Sequence, residues 1–179
     1  MDELEPFAAA AADGDPLAAA SLVRATQSDV WRLCAALGDR QSADDLTQET
    51  YLRAFAGLHR FEGRSSLRTW LLAIARRVCA DAVRSRRRRP TLVRAVDAAD
   101  IEMSDGADRV GEQAAVDDLL ARLDRDRREA FVLTQLLGLP YAEAAAVAGC
   151  PVGTIRSRVA RARTDLMAAL GAADDAALG

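Results

Sequence analysis

Apolar residues recur at helical spacing along most of this chain, and its β-branched residues do not alternate with polar ones as in a half-buried strand. Over residues 16–38 the apolar side is Leu22, Val30, Leu33, Cys34 and Leu37. Residues 42–57 predict a second helix, with Leu46, Tyr51, Leu52 and Phe55 as its apolar contacts. Ser42 suits its N-cap, and Asp44 and Asp45 favour the positive end of the helix dipole. A break at 58–66, around Gly57 and Gly63, precedes a third helix over about 67–87. Its inward residues are Trp70, Leu71, Ile74, Val78 and Val83. Pro90 ends that block. Residues 90–111 mix Pro, Gly, Ser and acids with few large apolar side chains, the composition of a linker. Four more helices follow at 112–123, 126–137, 141–148 and 151–170, and the Ala, Asp and Gly tail at 171–179 should fray. The expected fold is all-α: small helical domains at 15–89 and 112–170 joined by a flexible acidic linker.

The last two helices carry the sharpest local signal. Gly149 can take the positive φ that ends a helix, and Pro151 suits the first turn of the next. Ile155, Val159, Ala162 and Leu166 then make one buried stripe. The opposite side holds Ser157, Ala160, Arg161 and Thr164, flanked by Arg156, Arg158 and Arg163. Small residues ringed by arginines fit a recognition helix laid into a major groove. The plainer alternative is an ordinary basic surface helix.

Composition changes the picture in two ways. Aromatics are only 4% of the chain and much of the apolar half is alanine, which favours small helical modules over one large core. The net charge of −3 hides a strong segregation: residues 60–94 are strongly basic, whereas 1–59 and 95–118 are strongly acidic. A near-neutral total therefore says nothing against nucleic-acid binding. All the basic residues are arginine.

Candidate chemistry is sparse. Cys34, Cys79 and Cys150 are widely spaced, and His59 is the sole histidine, so neither a metal site nor a disulfide framework is expected. Paired acids such as Asp44 and Asp45 diverge by about 100° on a helix. With no nucleophile elbow and no phosphate loop, the chain reads as a non-enzyme without a cofactor. No signal peptide and no long apolar run are evident, which points to the cytoplasm and away from membranes.

Three segments of the first half remain. Arg84 and Arg86 to Arg89, one to three turns beyond Arg76 and Arg77, form a block suited to phosphates. The stretch Phe61-Glu-Gly-Arg-Ser-Ser-Leu-Arg-Thr-Trp70 could hold an unstacked base, although Trp70 itself reads better as core. Ser42 to Tyr51 places acids and a glutamine on one exposed face, either a docking surface or simply a solvated one.

Four segments in order, Ala43–Arg53, Phe61–Ala75, Arg127–Leu133 and Tyr141–Arg163, make the chain resemble the extracytoplasmic function sigma factors, the smallest sigma-70-like subunits of bacterial RNA polymerase. Ala-Asp-Asp-Leu-Thr-Gln-Glu-Thr and Gly-Cys-Pro-Val-Gly-Thr-Ile-Arg-Ser-Arg-Val look most like the actinobacterial sigma C branch. The resemblance implies that domain 15–89 binds core polymerase and melts the −10 element, while domain 112–170 reads the −35 element. It puts Asp45, Leu46, Gln48 and Glu49 on the face that docks the β′ clamp coiled coil, with the β flap as a second polymerase contact. It puts Phe61, Gly63, Arg64, Ser65, Ser66, Leu67, Arg68, Arg76, Arg77 and Arg84 at the −10 strand. Thr154, Arg156, Ser157, Arg158, Ala160 and Arg161 fall at the −35 duplex. Promoter DNA and core polymerase are the implied partners; an anti-sigma protein is usual in the family, though no feature of the chain demands one. Arg77, Ala160 and Leu67 depart from residues frequent in the family, which bears on promoter sequence more than on role. The rival reading is a stand-alone helix-turn-helix regulator, which leaves the first domain unexplained.

Overall fold

The structure is a computed structural model of the chain, and it describes residues 4–88 and 115–177, the last six of these as backbone only. The expected linker at 90–111 lies outside the described residues. Every regular element among them is helical.

Helix α1 spans Glu5–Ala12, α2 Pro16–Leu37, α3 Ala43–Gly57 and α4 Leu67–Arg88, with a 3₁₀ turn at Leu58–Arg60. The sequence pattern did not predict α1. Its alanine run looks structureless by periodicity, but alanine is the strongest helix former and Pro6 suits the first turn. Asp15 caps α2, its carboxylate accepting from the backbone N–H of Leu17 at 2.8 Å. Ser42 makes no such cap on α3; Asp39 instead accepts from the Ser42 N–H at 2.8 Å.

Helices α2, α3 and α4 enclose the first core. Leu22, Leu33, Leu67, Leu71 and Leu72 are its largest fully buried side chains. Each contributes about 1.5–3 kcal/mol by leaving water. Leu71 and Val78 are buried as expected, whereas Trp70, Ile74 and Val83 are half-buried. One polar pair sits inside. Thr26 Oγ1 donates to the Leu22 carbonyl at 2.7 Å, so the Tyr51 hydroxyl 2.8 Å away must donate to Thr26. Burial raises the Tyr51 phenol above its ordinary value. Cys34 and Cys79 lie in the same core as free thiols; a hydrogen bond between them and burial push the Cys79 thiol up.

The second unit begins with residues 115–121 (α5) and continues through α6, Arg125–Phe131, which runs on as a π turn over Val132–Leu136. Asp124 caps α6 by accepting from the Arg127 N–H at 2.9 Å. Helix α7 spans Tyr141–Ala148 and α8 Val152–Ala177. The last helix therefore runs past 170, through the segment expected to fray, because its alanine-rich sequence sustains helix. Leu133, Val132, Ile155, Val159 and Ala162 fill the core between α6, α7 and α8.

The two units pack together. Helix α4 lies against α7, and α2 against α6. Arg128 ties three elements, donating to the carbonyls of Ala121 at 2.9 Å, Leu123 at 3.0 Å and Ala36 at 3.3 Å. Burial, with Arg125 nearby, lowers its guanidinium below the usual arginine value.

Candidate nucleic-acid and polymerase interfaces

The turn between α7 and α8 is built on Gly149, whose φ of 66° and ψ of 38° are left-handed. A side chain with Cβ would be strained there. Pro151 starts α8, its carbonyl accepting from Thr154 at 2.9 Å. Ile155, Val159 and Ala162 are then buried, and Leu166 is half-buried. Arg156, Ser157, Ala160 and Arg161 are exposed together on the outer face. Arg158 is different. It turns back to pair with Asp126 of α6 and lies 3.6 Å from Cys150 Sγ. Arg163 likewise bonds Gln135 at 2.7 Å. Of the flanking arginines, Arg156 stands beside Arg161 on the open face.

The loop before α4 starts at Phe61, whose ring lies 5.3 Å from that of Trp70. Gly63 has a φ of 66°. Arg64 is exposed and pairs with Glu62 at 3.1 Å. Ser66 caps α4, its hydroxyl accepting from the Thr69 N–H at 3.2 Å. Leu67 is fully buried and belongs to the core beneath the loop. This packing follows from its place in the first turn of α4, on the same side as Leu71.

Several residues proposed for the −10 strand face the second unit. Thr69 donates to Glu143 of α7 at 2.6 Å, and Ser66 lies 3.3 Å from the same carboxylate. Arg68 bonds Asp29 at 2.7 Å and the Leu137 carbonyl at 2.6 Å, capping the end of the π turn. Arg76 pairs with Glu129, whose side chain is only 2% exposed. An uncompensated charge at that depth would be costly. Arg77 points outward. Arg84 pairs with Asp81, and Arg86 reaches Asp39 and the Ser42 hydroxyl, so the basic block is partly bound to its own domain.

On α3, Asp45 and Gln48 are exposed and Glu49 is half-buried. Glu49 bonds Arg53 at 2.7 Å, and Arg53 bridges onward to Asp81 at 2.9 Å. Those two carboxylates raise the Arg53 guanidinium above its ordinary value. Leu46 is buried beneath this face. Leu52, expected among the apolar contacts of this helix, is 60% exposed beside Gln48 and Glu49. Its spacing four residues after Gln48 carried that information.

Among the described residues, no group of three His, Cys, Asp or Glu side chains could hold a metal ion, and no helix is long and apolar enough to cross a membrane.

Residues 22–89 match the family Sigma-70 region 2, and residues 113–166 match Sigma-70, region 4. The chain is 55% identical over 163 residues to the ECF RNA polymerase sigma factor SigC of Mycobacterium tuberculosis, covering 90% of this chain and 88% of that one. It is 40% identical over 144 residues to the ECF RNA polymerase sigma factor EcfG of Rhodopseudomonas palustris, covering 74% of each. In structure it is similar to CnrH solved in complex with the cytosolic domain of CnrY, with a TM-score of 0.73, 31% identity, and 93% and 96% of the two chains covered. It is also similar to the sigma factor RpoE solved with the anti-sigma factor NepR from Bartonella quintana, with a TM-score of 0.66, 28% identity, and 83% and 94% covered.

Proposed function

Because the chain belongs to the extracytoplasmic function class of the sigma-70 family, we propose that its two helical units divide promoter recognition as that role requires. The protein is an RNA polymerase sigma factor: it binds core polymerase and directs transcription initiation at specific promoters through their −35 and −10 elements. The residue-level division rests on geometry. Arg156, Ser157, Ala160 and Arg161, exposed together on α8, read the −35 duplex, with Thr154 beside them at the helix start. Arg158 supports that helix from below through Asp126. The loop at Phe61, Gly63, Arg64, Ser65 and Ser66 takes an unpaired base of the non-template strand, over the buried Leu67. Arg68, Arg76, Arg77 and Arg84 follow its phosphates. Asp45, Gln48 and Glu49, with Leu52 added and Leu46 as support, dock the β′ clamp coiled coil, while the second unit meets the β flap.

The mechanism is binding. Unstacking a base costs a few kcal/mol, and arginine–phosphate contacts with the captured base offset that cost. The single observation that carries the division is the packing of Ser66, Arg68, Thr69 and Arg76 against the second unit. Thr69 is buried and Ser66, Arg68 and Arg76 are half-buried where the units meet, so contact of these groups with a single strand requires the units to part. Elements some 17 base pairs apart lie about 58 Å apart at 3.4 Å per step. Twenty-two residues of any chain reach at most roughly 70 Å when fully extended. Core polymerase supplies the separation by holding each unit at its own site. An anti-sigma protein, as NepR is for RpoE of Bartonella quintana, would be a third partner.

The test is holoenzyme assembly. Asp45→Arg with Glu49→Arg should lower co-purification with core polymerase at least tenfold while the helical circular dichroism stays unchanged. Undiminished co-purification would sink the assignment of this face.

A further inference from the structure

Helix α1 lies outside both matched segments, yet it borders the loop proposed to capture DNA. Ala8 is buried and α1 packs on α2 and on the 3₁₀ turn, so the helix is a fixed wall. Between them lies a cleft of about 480 Å³, within the range of small-ligand sites. Glu5, Ala8, Ala12 and Asp13 form one side; His59, Phe61 and Gly63 form the other. A Cβ placed on Gly63 would stand 3.8 Å from Glu5 Oε1, so this carboxylate reaches the loop itself.

The cleft has a distinct chemical order. Two carboxylates line the cleft, the half-buried Glu5 and the exposed Asp13, and two arginines adjoin its lining residues in sequence: Arg60 donates to His59 Nε2 at 3.2 Å, and Arg64 is largely exposed beside Glu62. The carboxylates repel phosphate and the neighbouring arginines attract it. Ala8, Ala9 and Ala12 add apolar surface, and Phe61 offers a ring for stacking. A carboxylate only accepts hydrogen bonds. It suits the exocyclic amine of cytosine or adenine, and it opposes the O4 acceptor of thymine.

We propose that α1 forms the outer wall of a pocket for an unpaired nucleobase of the non-template strand, and that Glu5 selects there for cytosine or adenine over thymine. This deepens the reading of residues 61–67 as the strand-capturing loop and rests on it.

The test uses holoenzyme assembled from the full chain and core polymerase. It is offered forked duplexes whose unpaired non-template extension is randomised, and bound and unbound pools are sequenced. Wild type should favour cytosine or adenine over thymine by about tenfold at one position. Glu5→Ala should bring that ratio close to one while preferences at other positions persist. Glu5→Gln should keep part of it, since the amide oxygen still accepts. If Glu5→Ala leaves the profile unchanged, or reduces recovery evenly at every position, α1 is only a structural support and the proposal fails, while the loop reading stands. If wild type shows no base preference anywhere in the extension, the loop reading fails and this inference falls with it. Thermal melting of both variants checks that α1 remains folded. Should Glu5→Ala unfold it, Glu5→Gln decides: an unaltered ratio overturns the proposal and a reduced one upholds it.

Discussion

Arg158 and Arg161 are three residues apart on one helix, yet their surroundings give them different roles. Arg161 is exposed on the outer face, whereas Arg158 pairs with Asp126 under it. A bidentate arginine–guanine contact gives about 1–3 kcal/mol of discrimination. Arg161→Ala should therefore relax preference at one or two base pairs of the −35 element, as read by binding selection with holoenzyme. Arg158→Ala should leave that preference in place and cost up to about 1 kcal/mol of stability, since Asp126 is largely exposed. If both variants lose the same preference, the distinction drawn between them is wrong. Helical spacing alone put Arg156, Arg158 and Arg163 together as flanking residues. It could not show that Asp126 and Gln135, brought in by another helix, take two of them. The same limit applies to Leu67 and Leu52. Both are leucines at the edge of a helical stripe, and packing buries the first and exposes the second.

At the scale of elements, α2, α3 and α4 were legible because long amphipathic runs end at Gly or Pro, and the short α7 because Pro140 and Gly149 bracket it. Helix α1 and the end of α8 were not, because alanine carries helix propensity without a periodic pattern. The turn between α2 and α3 also holds more than its sequence suggested. Asp39 accepts from the Ser42 N–H and from Arg86, fastening the basic end of α4 to this turn. Partial burial works against ionisation of Asp39, but those hydrogen bonds prevail and its carboxyl sits below the ordinary aspartate value. A lowered folded-state value means a stabilising contribution that is full above about pH 3.9 and is lost as pH falls through the lower value. Asp39→Asn should therefore flatten the acid limb of stability, seen as a smaller loss of melting temperature between pH 5 and about pH 3. An unchanged acid limb would show that the link contributes nothing.

For the whole molecule, the closed packing of the two units is the feature that no single segment announced. It depends on Glu129 and Glu143, which look like ordinary helix acids in sequence but meet Arg76, Ser66 and Thr69 across the boundary. Hydrogen bonds to charged groups contribute about 1.5–3 kcal/mol each. Glu143→Gln together with Arg68→Ala should loosen the units, expanding the free protein in small-angle scattering while leaving its helical content intact. A radius unchanged from wild type would show that apolar contacts alone hold the closed form. As a sigma factor, this chain gives core polymerase its promoter choice. The most direct measurement is run-off transcription by core polymerase on a genomic promoter library, with and without the purified chain. A discrete set of start sites should appear only when both are present, each with a shared −35 and −10 sequence upstream. Specific duplex binding by the chain alone, with no polymerase-dependent start sites, would contradict it.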